Sequence, residues 1–308
     1  MTIVSSDVTK FLALTLDPCG PIPGISRTFA SKTKLLCLPN LYRSPWYRAS
    51  MTFDGLKRNP AILVFCGLMA VSLAGLLLLP PIPQDQSYHQ FADQRTILGI
   101  PNFWNVVSNL PFLAVGAIGL RRYRDNPASI VFFLGVFLTG IGSSYYHWDP
   151  NDDTLFWDRL PMTLSFAAIL VLAVEERVDT RTGAILLWPA FAIGLFSLLV
   201  WRWTDDLRLY FWVQFFPGLA ILLLFLLYPP KYTGTYYWIA AAALYALAKL
   251  FEFTDETIYG AGHFLSGHTL KHLAAAASCF AILRYFQARQ TVSQEQPARP
   301  ARSLRTRQ

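Results

Sequence analysis

Apolar residues along this chain come in blocks about as long as a bilayer is thick, separated by short polar gaps. A helix that crosses a membrane needs about 20 predominantly apolar residues, because inside the bilayer no water can satisfy backbone groups left outside a helix. Eight stretches approach that length, at roughly 60–80, 101–120, 127–147, 156–174, 181–202, 207–228, 236–252 and 263–286. Pro80, Pro81, Pro83, Pro229 and Pro230 fall at segment ends, where proline stops a helix cheaply. The pattern predicts an all-α, polytopic membrane protein.

Composition agrees. The chain is 54% hydrophobic and only 15% charged, whereas a soluble domain carries about a quarter charged residues. The net charge of +7 is not a nucleic-acid footprint, because the basic residues follow the helix ends. Lys57 and Arg58, Arg121, Arg122 and Arg124, Arg177 and Arg181, Lys231, and the tail from Arg284 to Arg307 occupy every second gap. The positive-inside rule places these gaps, and with them both termini, in the cytoplasm. The opposite gaps carry Asp85, Asp93, Asp149, Asp152, Asp153, Asp205, Asp206, Asp255 and Glu256. The four cysteines, Cys19, Cys37, Cys66 and Cys279, have no zinc-knuckle or disulfide spacing. Residues 1–55 lack a spanning segment and a signal-peptide pattern, and read as a disordered tail or as sequence preceding a start at Met51. Residues 287–308 read as a disordered basic tail.

The polar residues left inside the spans carry the candidate chemistry. Residues 266–272 read SGHTLKH, so His268 and His272 sit four apart and share one helix face. Such a pair inside a span is costly without a partner, and a metal ion is a common one. The third predicted span ends GIGSSYYHWDP, which places Ser143 one turn before His147, and Asp158 follows eleven residues later near the start of the next span. A short loop makes those two helices antiparallel neighbours. Ser143, His147, Asp158, His268 and His272 can then converge at one depth, on the extracytoplasmic side. Three imidazoles leave a tetrahedral zinc one open position, which is the catalytic rather than the structural pattern. The helix is not of the zincin type, because Thr269 stands where that motif has Glu. Asp158 is the candidate base.

Each residue has a plainer reading. His147 alone is a hydrogen-bonded interfacial residue, Ser143 a packing residue and Asp158 a helix-terminus anion. His263 reads as interfacial and His89 as a loop residue. Plainer causes would have to place one Ser, three His and one Asp at a single depth by coincidence.

The arrangement Ser143-x-x-x-His147, Asp158 and His268-x-x-x-His272 resembles the alkaline ceramidases. These belong to a superfamily of seven-helix membrane hydrolases that also holds adiponectin-receptor-type and lipid-remodelling proteins. The run PNFWNVVSN at 101–109 resembles the start of that family's first helix. The resemblance implies a seven-helix hydrolase domain at 101–286, with residues 56–100 contributing one additional N-terminal helix and its loop. It implies an amidase that cleaves ceramide or a related membrane lipid, with zinc on His147, His268 and His272. Asp158 would take a proton from the attacking water, and Ser143 would stabilise the oxyanion or orient that water. Eukaryotic members also carry an acidic calcium site before the first helix. Only Asp93 and Asn102 remain here as candidate calcium oxygens, at a shorter spacing, which puts calcium and ceramide itself in question.

Asn105, Ser108 and Asn109 have the spacing of helix–helix hydrogen-bonding residues. Lys249, Glu252 and Asp255 share a face of the seventh span, either as an ion-paired cluster or as support for the histidines of the eighth. The alternatives to a lipid amidase are a hydrolase of another acyl lipid, a haem carrier using His147 and one later histidine, and a receptor that keeps zinc as a structural element. The sequence leaves the lipid, the acyl length and the oligomeric state open.

Overall fold

The computed structural model describes residues 60–292. The expectations for residues 1–55, for Met51, for Cys19 and Cys37 and for the tail beyond 292 lie outside the described residues. Ten helices follow one another among those described: α1 (Pro60–Leu78), α2 (Phe103–Val107), α3 (Leu110–Arg122), α4 (Pro127–Trp148), α5 (Asp152–Arg177), α6 (Thr180–Thr204), α7 (Arg208–Leu227), α8 (Thr235–Phe253), α9 (Asp255–Gly262) and α10 (Gly267–Ala288).

Local chemistry sets several boundaries. Asn151 and Thr154 form a reciprocal capping box, with Asn151 Oδ1 accepting from the Thr154 N–H at 3.0 Å. That box starts α5 four residues before the predicted 156, so Asp158 lies in its second turn rather than near its first residue. The predicted span at 101–120 is broken between α2 and α3. Pro111, the second residue of α3, has no N–H to carry the helix through. The predicted span at 263–286 also starts late. His263 ends α9 in the left-handed region (φ 52°), and α10 begins afresh at Gly267, capped by Ser266. Pro161, Pro189 and Pro217 lie inside α5, α6 and α7, as membrane helices tolerate when neighbours satisfy the freed carbonyls.

Five helical segments are long and apolar enough to cross a membrane, at 103–122, 127–148, 152–177, 180–204 and 208–227. The expected number was eight. Helix α1 has 19 residues, none of them charged. Helices α8 and α10 have 19 and 22 residues, but Lys249, Glu252, His268, Lys271 and His272 dilute their hydropathy. The outward-facing side chains are apolar, among them Ile118, Ile141, Ile185, Phe196, Leu222 and Ile239. An apolar outer surface is what a chain surrounded by hydrocarbon presents.

Helix α4 packs along α3 and α5, α10 along α8 and α3, and α1 against α7. Gly142 allows the closest approach of α4 to α5, since a Cβ there would lie 2.2 Å from the Trp157 carbonyl oxygen. One apolar core, including Phe133, Val171, Leu187 and Leu283, fills the middle of the bundle. A second, with Phe91, Tyr146, Leu155, Leu198, Trp201 and Tyr210, lies at the end bearing the α4–α5 turn. The loop between α1 and α2 folds over that end. It is tied there by Leu207 N–H to the Ile82 carbonyl (2.8 Å) and by Gln84 N–H to Asp205 (2.9 Å). Arg208 forks onto Asp206 beneath this loop and holds that carboxyl below its ordinary range. Past α10, Val292 N–H donates to the Lys231 carbonyl at 2.9 Å.

Candidate metal centre and active site

His147 ends α4, and His268 and His272 occupy the first two turns of α10. All three are buried. One ring nitrogen from each lies within 4.8 Å of those of the other two, and His147 Nε2 is 3.1 Å from His272 Nε2. Zinc–nitrogen bonds of about 2.0–2.1 Å require ligand nitrogens to be close neighbours in this way. Among the described residues this is the one histidine, cysteine or carboxylate group with such geometry. The donor set fits a divalent metal of zinc type, and an imidazole-only set is less suited to magnesium or calcium.

The break between α2 and α3 joins the two halves of this site. Asn102 donates to the His147 carbonyl (2.9 Å), and Ser144 Oγ, 2.8 Å from the Gly140 carbonyl of its own helix, also lies 3.2 Å from the Val106 carbonyl. From the other side, Thr269 donates to Asn105 Oδ1 (2.8 Å), and Ser108 Oγ lies 2.8 Å from His272 Nδ1. Ser108 has a single hydroxyl hydrogen, and the Asn105 carbonyl is 3.1 Å from its oxygen. With that hydrogen on the carbonyl, Ser108 accepts from His272 Nδ1–H. His272 Nε2 then keeps its lone pair for a metal. The expected helix–helix hydrogen bonds of Asn105 and Ser108 are therefore contacts of the site itself.

Ser143 and Asp158 are buried and line the same cavity as His272, about 370 Å³ in volume. An apolar cavity of about 310 Å³ adjoins it, and the two share walls at Phe112, Thr139, Met162 and Tyr245.

The cluster Lys249, Glu252 and Asp255 divides between its two expected roles. Glu252 pairs with Lys249 and with Lys271, each at 2.6 Å, and accepts from Tyr88 at 3.0 Å. Burial, with the Glu252 charge adding to it, pushes the Tyr88 phenol well above its ordinary value, so it remains a donor. Asp255 instead accepts from the backbone N–H of His268 (2.7 Å) and of Ala92 (3.0 Å). It thereby caps α10 at the histidine. Of the two candidate calcium residues, Asp93 receives Arg95 on both carboxylate oxygens, at 2.8 and 2.6 Å, and Asn102 holds the His147 carbonyl. His89 bridges Tyr146 and Asp152, and His263 is exposed beside Tyr259. Neither belongs to the cluster.

Sequence reasoning passed over three neighbours of the site. Phe91 covers His147 and His268, its ring centroid 4.6 Å from each. Nothing in a loop phenylalanine announces such a role. Lys271 Nζ lies 3.4 Å from His268 Nε2, and Arg159 follows Asp158 on the cavity wall. A charged side chain within an apolar span is a signal that points to both.

The ceramidase family model matches residues 96–229. That segment contains Ser143, His147 and Asp158 and ends before α8, so His268 and His272 lie outside it. No curated protein matches the chain. The family match and the three-histidine cluster together point to a membrane hydrolase with a metal-binding site.

Proposed function

We propose that the chain is a zinc-dependent membrane hydrolase that cleaves the amide bond of a lipid, ceramidase-like, giving a fatty acid and an amine. The observation that carries this reading is the set of three histidine nitrogens within 4.8 Å of one another, one of which, His272, lines a cavity with Ser143 and Asp158. Zinc held by His147, His268 and His272 would polarise the amide carbonyl and lower the pKa of a water towards about 7.

The protein's own residues do the rest. Asp158 takes a proton from the attacking water and returns it to the leaving nitrogen, which an amide requires because an amide anion leaves poorly. Ser143 gives its single hydroxyl hydrogen to the oxygen that gains charge, or orients the attacking water. Ser108 and Asp255 hold His272 and His268 in place. Phe91 keeps bulk water from one side of the histidines. The acyl chain occupies the apolar cavity while the headgroup occupies the polar one. This reading assigns calcium no role, because Arg95 takes both carboxylate oxygens of Asp93. A haem reading is disfavoured, because nitrogens 3.1 Å apart leave no macrocycle between them.

We further take 101–286 as a seven-helix hydrolase domain, counting α2 with α3 as one span and including α8 and α10, with α1 as an added span. Arg121, Arg122, Arg177, Lys231 and Arg289 gather at the bundle end away from the histidines. The positive-inside rule makes that end cytoplasmic and sets the site towards the other face.

The test is fatty-acid release by purified protein from ceramides and other acyl lipids, with and without chelator, followed by mass spectrometry. Release that chelator abolishes and zinc restores is the expected result. Metal binding without release from any acyl lipid would reduce the site to a structural one.

A further inference from the structure

Arg159 is 5% exposed and lines the polar cavity. Its Nη2 donates to Gln84 Oε1 at 2.8 Å. It lies between the rings of Trp201 and Tyr210, 4.5 and 4.7 Å from their centroids. Nη1 is buried without a hydrogen-bond partner. No carboxylate among the described residues forms an ion pair with Arg159. A buried arginine normally has such a partner, because removing a charge from water is costly unless another group compensates it.

The rest of the wall does not supply the missing charge. Glu252 is already shared between Lys249 and Lys271. Asp158 lines the same wall but forms no ion pair with Arg159, and Asp85 at the mouth is exposed and turned to the Ser87 N–H at 2.9 Å. Three cations therefore face two carboxylates, the buried Asp158 and the half-buried Glu252, and bound zinc would add to the excess. Arg159 lines the polar cavity with Ser143, Asp158 and His272, but not the apolar cavity. Two aromatic faces and one glutamine fix the guanidinium plane in advance, so little ordering remains when an acceptor arrives.

We infer that Arg159 is the headgroup-recognition residue of this site, and that the preferred substrate is an N-acyl lipid with an anionic oxygen group, such as a carboxylate, on the amine side of the amide. This inference rests on the hydrolase reading for the reaction, but the subsite itself is defined by binding. A neutral headgroup offers acceptors without charge, and a charge-assisted hydrogen bond is roughly twice as strong as a neutral one. Lys249 and Lys271 add long-range attraction, while Arg159 supplies the directed donor.

The experiment compares N-dodecanoylglycine with N-dodecanoylethanolamine, which share the amide and the chain and differ in headgroup charge. Binding to the full chain in non-ionic detergent is followed by tryptophan fluorescence, to which Trp201 contributes directly. The anionic amide is expected to bind about tenfold more tightly. Arg159→Gln should remove that difference, and Arg159→Lys should keep part of it. Equal affinities in the native protein would overturn the inference, whatever the variants do. A preference that survives Arg159→Gln would also overturn it, and would assign the selectivity to the metal or the lysines. If Arg159→Gln does not fold, Arg159→Lys carries the comparison, with an undiminished preference as the refuting result. Fatty-acid release from the same two amides is scored separately. No release from either, with the binding preference intact, would refute the hydrolase reading and leave the anion subsite standing.

Discussion

Ser108 Oγ lies 2.8 Å from Nδ1 of His272, so a serine at the break between α2 and α3 fixes which nitrogen of a histidine on α10 can meet a metal. The break makes this possible. It leaves the Val106 carbonyl within 3.2 Å of Ser144 Oγ on α4 and places the Asn105 side chain to accept from Thr269 on α10.

Ser108→Ala should weaken zinc binding by about 10–100-fold, the usual cost of losing an outer-sphere partner, with little change in the fold. Competition against a chromophoric chelator measures it. An unchanged affinity would mean that His272 is oriented by helix packing alone.

His268→Ala should lose zinc on dialysis, because two imidazoles chelate far more weakly than three. Elemental analysis of the purified variant is the check. Stoichiometric zinc in it would show that the ligand set is wrong.

Asp158→Asn should keep zinc and lower lipid hydrolysis by about 10²–10⁴-fold, since the amide is nearly isosteric but cannot accept the proton. Ser143→Ala should also spare the metal and cost roughly 10²–10³-fold if the hydroxyl is a full oxyanion donor. Zinc content and fatty-acid release are measured side by side. Loss of zinc from Asp158→Asn would move that residue into the ligand shell.

Gly142→Val should destabilise the protein by about 1–3 kcal/mol through overpacking, because its Cβ would meet the Trp157 carbonyl oxygen at 2.2 Å. Forcing α4 from α5 also shifts Ser143 relative to Asp158. Activity should therefore fall further than zinc content. Thermal unfolding in detergent, with both assays, separates the two effects, and a variant of native stability would refute the close-packing argument.

The residues of the site were legible in the sequence where local periodicity sufficed. His268 and His272 share a face because they are four apart on one helix, and the same holds for Ser143 and His147. Apolar blocks about a bilayer thick announced membrane helices for an equally local reason, namely that a backbone in hydrocarbon must bond to itself. The break at Pro111 carried a local signal too, but it lies inside an apolar run whose hydropathy does not register a missing N–H.

Other features depended on the tertiary structure. The seating of Phe91 over two histidines, the bond from Ser108 to His272 and the approach of Asp255 to the His268 backbone each join residues distant in the chain. Spacing along one helix cannot encode them, because they depend on how helices and loops meet. The same holds for Arg159. Its sequence shows a charge beside Asp158 in an apolar span. Only the packing of Trp201, Tyr210 and Gln84 around it, with no ion-paired carboxylate among the described residues, turns that charge into a donor facing the cavity.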